Sequence, residues 1–324
     1  MTTAAEVVPL PEGVYLSAHL APFQPWLARE DVSEVMVNRP GELWVDGAGG
    51  MARVDAPAVD DRLLERLAQQ IARASHQGIN RERPLLAATL PDGARVQVAA
   101  PPATREHWAL AIRRHRVADV PLDAYDRGPI APPPPPAWRR QSPHADPVGF
   151  LKAAAAARAT ILISGGTSSG KTTFLNALMR EVPRRERIIL VEDTPEIRLS
   201  HRNALGLVAV RGELGEARVT TDDLLQASLR MRPDRIVLGE LRGREAVSFL
   251  RAINTGHPGS FSTIHANSPT KALDQLALMV MQTGLGLSRA ETIVYARSVI
   301  DVVVQLELAD GERRIAEILI ADGA

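Results

Sequence analysis

The sequence predicts an α/β chain, with a C-terminal domain on a mostly parallel sheet bearing a phosphate-binding loop and a smaller α+β domain before it. Three observations predict this. Residues 161–173 read Ile-Leu-Ile-Ser-Gly-Gly-Thr-Ser-Ser-Gly-Lys-Thr-Thr, an apolar strand entering G-x-x-x-x-G-K-[ST] and then a helix. Beyond it, short apolar runs alternate with helical patterns, as strands and crossover helices do. Before it, residues 132–136 are five consecutive prolines, which neither a helix interior nor a central strand accommodates.

The elements follow in order. In the N-terminal part, residues 33–38 read as a strand, Arg39-Pro40-Gly41 as a turn and 42–46 as a second strand. Gly47-Ala48-Gly49-Gly50 then turns the chain into 51–54. Residues 60–74 carry Leu63, Leu64, Leu67 and Ile71, an amphipathic helical stripe. Residues 87–90 and 94–99 flank Pro91-Asp92-Gly93 as a hairpin, and 107–113 is a further strand. The domain spans 1–121, and a linker covers 122–146. Its prolines form an extended, semi-rigid spacer, the alternative being a proline-rich docking motif.

The C-terminal domain spans 147–324. Helices are expected at 147–157, 171–180, 221–229, 244–254 and 270–282. Strands are expected at 160–163, 187–192, 207–210, 235–239 and 260–264. A late antiparallel hairpin, 299–308 with 313–320, turns around Asp310-Gly311.

Composition narrows the function. A length of 324 residues suits two domains, and the 45% hydrophobic and 23% charged fractions are those of a soluble globular protein. Lys+Arg and Asp+Glu are 38 each, so general nucleic-acid binding is not expected. The absence of cysteine excludes disulfides and Cys-ligated zinc and fits a reducing compartment. Residues 1–9 show no signal pattern, and no apolar run is long enough to span a bilayer.

The loop names a ligand, a nucleoside triphosphate with magnesium. Gly165, Gly166 and Gly170 let the backbone curl so that amides point inward, and Thr167, Ser168 and Ser169 complete the curl. Those amides and the start of the next helix favour phosphate oxygens. Lys171 reaches for the β- and γ-phosphates and the Thr172 hydroxyl for magnesium. Thr173 is counted with the loop but reads as helix rather than ligand.

Hydrolysis needs more: a carboxylate for the metal and a group to orient water. In open α/β sheets such groups lie at the C-terminal ends of strands. Ile188-Ile189-Leu190-Val191 runs into Glu192-Asp193-Thr194-Pro195-Glu196, which reads either as carboxylates at a strand end or as a solvated acidic turn. Arg235 to Gly239 ends in Glu240, a Walker B-like acid acting on magnesium partly through water. His257 and His265 flank a short strand, where a neutral imidazole can bond a phosphate or link to a neighbouring subunit. Their spacing does not suit a metal site. Arg113 and Arg114 end an N-terminal-domain strand, and Arg230, Arg232, Arg235, Arg242 and Arg244 surround Glu240. Any of them could neutralise charge on a γ-phosphoryl group, or simply be a surface residue.

The order of these boxes resembles the secretion-superfamily traffic ATPases, whose signatures are Walker A, Asp box, Walker B and His box. Ser33-Glu34-Val35-Met36-Val37-Asn38-Arg39-Pro40-Gly41-Glu42 and Leu90-Pro91-Asp92-Gly93-Ala94-Arg95-Val96 also look like this family. The likeness spans about residues 30–310 and is strongest to the ATPases of type IV secretion systems. It implies a RecA-like C-terminal domain, ATP and Mg²⁺ as ligands, and a ring-shaped homohexamer working on inner-membrane components of a secretion system. It further implies a cytoplasmic protein peripheral to that membrane and a role in protein secretion or conjugation. It assigns water polarisation to Glu192, the Walker B acid to Glu240 and the His-box pair to His257 and His265. A γ-phosphate-sensing arginine maps onto Arg113, with Arg114 as competitor and Arg127 as a second such residue. The lack of cysteines departs from type II secretion ATPases, and the long proline linker leaves open which N-terminal domain covers which C-terminal domain. A DNA-translocating motor and a non-hydrolysing nucleotide switch share the core; neutral net charge argues against the motor.

Overall fold

A computed structural model describes residues 13–115, 120–126, 128, 134–211 and 217–321. The chain divides into two compact units, Met1–Pro101 with Glu106–Arg116, and Pro102–Arg105 with Val117–Ala324. Pro102–Arg105, and the chain from Val117 to 121, read from sequence as part of the N-terminal domain but group with the second unit. Arg127 lies outside the described residues.

The first unit begins with helix α1 (Val14–Leu20), a 3-10 turn and helix α2 (Gln24–Leu27), none of which the sequence reading anticipates. Strands β1 (Val32–Val37), β2 (Gly41–Gly47) and β3 (Gly50–Ala56) precede helix α3 (Asp61–Ala74), and β4 (Leu85–Thr89), β5 (Arg95–Ala99) and β6 (Ala109–Arg113) follow. They form one antiparallel sheet in the order β3-β2-β1-β6-β5-β4. The stripe on α3 is its core face: Leu64, Leu67, Ala68, Ile71 and Ala72 are buried with Leu16, Leu20 and Phe23. Asp60 caps α3 by accepting from the Leu63 amide at 2.7 Å.

The second unit contains α4 (Pro147–Ala156), β7 (Ile161–Gly165), α5 (Lys171–Met179), β8 (Ile188–Glu192) and β9 (Ala204–Val208). A small ribbon, β10 (Val210–Arg211) with β11 (Arg218–Val219), leads to α6 (Thr221–Ser228) and β12 (Arg235–Leu241). Then come α7 (Glu245–Asn254), β13 (Phe261–Ile264), α8 (Pro269–Met281), α9 (Arg289–Val299), β14 (Val302–Ala309) and β15 (Glu312–Ile320). The sheet runs β15-β14-β7-β13-β12-β8-β9, parallel from β14 to β9, with β15 antiparallel at one edge. The inner strands β7, β8 and β13 are buried along their whole length, as in parallel sheets covered on both faces, whereas the edge strand β15 is largely exposed. This is the α/β architecture that the sequence predicts.

Some details differ. The late hairpin forms, but its first strand also pairs in parallel with β7, so it completes the main sheet. Helix α9 goes unread, although Ser288 and Glu291 make a reciprocal capping box before it. Strand β9 begins three residues before the expected 207, with Gly206 inside it. The expected linker ends in structure: Trp138 is buried and packs edge-on against Phe150 of α4, with ring centroids 5.5 Å apart.

Candidate functional site

Sheet order assembles the site. Along the chain the boxes follow β7, β8, β12 and β13, but in space the order is β7-β13-β12-β8. All four strands point the same way, so the phosphate loop, His265, Glu240 and Glu192 emerge in a row at their C-terminal ends. Neighbouring strands lie only about 4.8 Å apart. A cleft of about 450 Å³ opens there, lined among others by Lys171, Thr172, Glu192, Glu240, Arg242 and His265.

The loop geometry explains its glycines. A Cβ on Gly165 would lie 2.3 Å from Ser169 Oγ and 2.9 Å from the Leu306 carbonyl, whereas one on Gly166 would meet nothing within 4 Å. Gly170 has φ +89°, and a Cβ there would press on Arg313, which β15 brings to the loop. Ser168 also takes a left-handed backbone, φ 61°. Ser169 Oγ donates to the Gly166 carbonyl at 2.9 Å and braces the curl. Lys171 is buried, and its Nζ donates to the Gly165 and Gly166 carbonyls, both at 3.0 Å. Burial pushes its pKa below the usual lysine range, and Glu240 opposes that shift. Thr167, Ser168, Thr172 and Thr173 also line the cleft.

Glu240 is the electrostatic centre. Arg242 Nε donates to its Oε2 at 2.6 Å, and this bond is the largest cause of a raised Arg242 pKa. His265 Nε2 lies 2.7 Å from Oε1, at ion-pair distance, yet Oε1 is buried without a hydrogen-bond partner. We read the contact as close packing outside hydrogen-bond geometry, which leaves Oε1 a lone pair to offer. Thr263 Oγ1 donates to the Gly239 carbonyl at 2.8 Å and ties the ends of β13 and β12 together.

Glu192 is buried, 3% exposed, and its carboxylate is well occupied. Oε1 accepts the amides of Glu196 at 3.0 Å and Ile197 at 2.8 Å, while Oε2 accepts from Arg105 Nη2. Arg105 goes unremarked in the sequence because nothing in Pro102–Arg105 has a motif; only the pairing of this segment beside β9 reveals it. Asp193 accepts from Thr221 Oγ1 at 2.8 Å and lies 3.5 Å from Arg242.

The structure separates the other sequence candidates from this cluster. His257 precedes β13 and His265 follows it, so the two lie at opposite ends of the sheet. His257 Nδ1 is 2.9 Å from the Pro233 carbonyl, and burial lowers its pKa. It therefore does not join His265 at the cleft of its own chain. Arg113 and Arg114 belong to the first unit. Arg114 donates to the Arg29 carbonyl and, at 3.1 Å, to that of Val32, whereas Arg113 is exposed and only 3.6 Å from Glu34. Arg235 is fully buried at the far end of β12, paired with Glu186 and donating to the Ala155 carbonyl at 2.8 Å. Arg232 pairs with Asp234 at 2.7 Å.

Comparison with known proteins gives the family. Residues 140–310 match the family model described as type II/IV secretion system protein. The type IV secretion system protein PtlH of Bordetella pertussis is 41% identical, over 94% of this chain and 95% of its own. VirB11 of Bartonella henselae is 33% identical over 92% and 91%. The crystal structure of the VirB11 ATPase of the Brucella suis type IV secretion system, in complex with sulphate, superposes with a TM-score of 0.88. It is 34% identical and covers 95% of this chain and 98% of that one. With the four boxes brought round one cleft and relatives matched nearly end to end, the chain belongs to the secretion ATPase family, among its type IV secretion members.

Proposed function

We propose that this protein is a magnesium-dependent ATP hydrolase that energises a type IV secretion system as a cytoplasmic homohexamer. One observation carries the reading: the strand order that sets the phosphate loop, His265, Glu240 and Glu192 round a single cleft. The loop amides and Lys171 bind the β- and γ-phosphates, with Gly166 leaving room for close approach.

The donor set suits a hard cation. Thr172 supplies a hydroxyl, and Glu240 supplies a buried oxygen that lacks a hydrogen-bond partner. Magnesium held there, partly through water, would neutralise charge on the phosphates. Glu192 orients the attacking water. His265, between the loop and Glu240, contacts the γ-phosphate side of the cleft. His257 supports the start of β13 in its own chain. Arg113 is the better γ-phosphate sensor of the arginine pair, since Arg114 is committed to two backbone carbonyls.

Hydrolysis is then coupled to motion of the N-terminal unit, with γ-phosphate contacts as the switch. The protein works beside inner-membrane components; no helix among the described residues is long and apolar enough to cross a membrane. Phosphate-release and nucleotide-binding assays test the residue roles. Lys171→Ala abolishes turnover through weakened binding, whereas Glu192→Gln binds ATP normally and loses about 10²-fold or more in kcat. Normal hydrolysis by Glu192→Gln would remove Glu192 from the mechanism.

A further inference from the structure

We propose that Arg105 is a latch on the Glu192 carboxylate, and that release of residues 102–105 from β9 switches hydrolysis on. The proposal rests on Glu192 as the water-orienting group. Its observations are separate from that reading.

Glu192 has two oxygens with different tasks. Oε1 is held by the amides of Glu196 and Ile197, in the turn that follows its own strand. Oε2 is the oxygen left for water, and Arg105 Nη2 occupies it. The same nitrogen donates to the Ile197 carbonyl at 2.7 Å, so the guanidinium bridges carboxylate and turn. A carboxylate oxygen facing a guanidinium at hydrogen-bond distance has that much less access for a solvent molecule.

The contact is built rather than incidental. Residues 103–105 run antiparallel to β9: the Val208 amide donates to Ala103 at 2.9 Å, the Arg105 amide to Gly206 at 3.4 Å, and Thr104 stands opposite Leu207. Gly206 makes room for the arginine, since a Cβ there would lie 2.8 Å from Arg105 Nε. That Nε is buried without a partner, a cost that the segment bears to hold the guanidinium where it is.

The segment is also placed to be moved. The chain leaves the first unit after Pro101, contributes Pro102–Arg105 to the second, and returns to the first at Glu106. Both ends of the latch are therefore covalently attached to the unit that the proposed cycle displaces. A pull on either end peels a single short bridge from a sheet edge and takes Arg105 with it. Glu192 Oε2 is then free, and its Oε1 anchors keep the carboxylate aimed.

Two perturbations test the latch. Arg105→Gln removes the charge and the fork. Its basal kcat is expected to rise about tenfold with KM for ATP unchanged, because the relieved group acts on the chemical step. Thr104→Cys with Leu207→Cys does the opposite. The two residues form a non-hydrogen-bonded antiparallel pair, whose Cα separation of about 4.5 Å falls within the disulfide range. The chain has no other cysteine to confuse the cross-link. The oxidised protein should bind ATP as the reduced one does, hydrolyse it about tenfold more slowly, and recover with reductant. Unchanged or reduced turnover in Arg105→Gln, or equal rates in the oxidised and reduced forms, overturns the latch. Glu192→Gln separates the two ideas. If it hydrolyses normally, the water-orienting role falls and the latch with it. If it is inactive while Arg105→Gln behaves as wild type, the latch alone falls.

Discussion

At the scale of single residues, the phosphate loop distinguishes glycines that look alike in sequence. Gly165 has no room for a side chain between Ser169 and the Leu306 carbonyl, while Gly166 faces open space. Gly165→Ala must displace the loop or β14. Fluorescent-nucleotide titration should show ATP binding weakened tenfold or more, roughly 1.4 kcal/mol. Gly166→Ala should keep the loop and stay within a few-fold of wild type, with an unchanged melting temperature. Equal losses in the two variants would mean that the phosphates, not the loop packing, set the requirement. The motif could be read from sequence because its residues shape the local backbone between one strand and one helix. The different demands on Gly165 and Gly166 could not, because the crowding on Gly165 depends on how the loop curls Ser169 back and on the Leu306 carbonyl of β14, a strand that follows much later in the chain.

At the scale of elements, the two ends of the parallel sheet are chemically different. The C-terminal ends carry the polar cleft. The N-terminal ends bury a charged network in which Arg187 and Arg235 are fully enclosed and hydrogen-bond to Asn203, Glu186 and backbone carbonyls, with Arg235 Nη2 buried without a partner. His201 and His257 sit at that end too. His201 Nε2 is 3.1 Å from the Val182 carbonyl, and burial is the largest cause of its lowered pKa, as for His257. The sign follows from linkage. A histidine whose folded pKa lies below its ordinary 6.5 binds its proton more readily when the chain is unfolded. Stability is therefore complete above about pH 6.5 and falls as pH drops towards the folded value, below which the loss levels off. Melting temperature should fall between about pH 7 and pH 5.5, and His201→Gln should make that fall shallower. A slope unaltered by the substitution would remove His201 from the effect. Most elements here were legible from apolar runs and periodicity. Those missed include the two-residue strand β11 and the helices α1, α2 and α9; α9 buries only Thr292 and Ala296 of its own residues.

At the scale of the whole molecule, the family places this chain among proteins that drive secretion, and the homohexamer is our proposal. Light scattering after gel filtration, with and without ATP and magnesium, should show a six-chain assembly in at least the nucleotide-bound state. A monomer under both conditions would remove the motor reading while leaving the hydrolytic site intact. The sequence by itself determined the family and the order of its motifs, because each rests on local order: a glycine-rich turn after a strand, acids at strand ends, a histidine after a short strand. Which boxes meet was decided by tertiary structure alone. Parallel strands reach their neighbours through crossovers, so the chain order β7, β8, β12, β13 becomes the spatial order β7-β13-β12-β8. That rearrangement brings His265 to Glu240 and leaves His257 at the other end of its strand. The same long-range pairing puts Arg105, unmarked by any motif, against Glu192, 87 residues further along the chain.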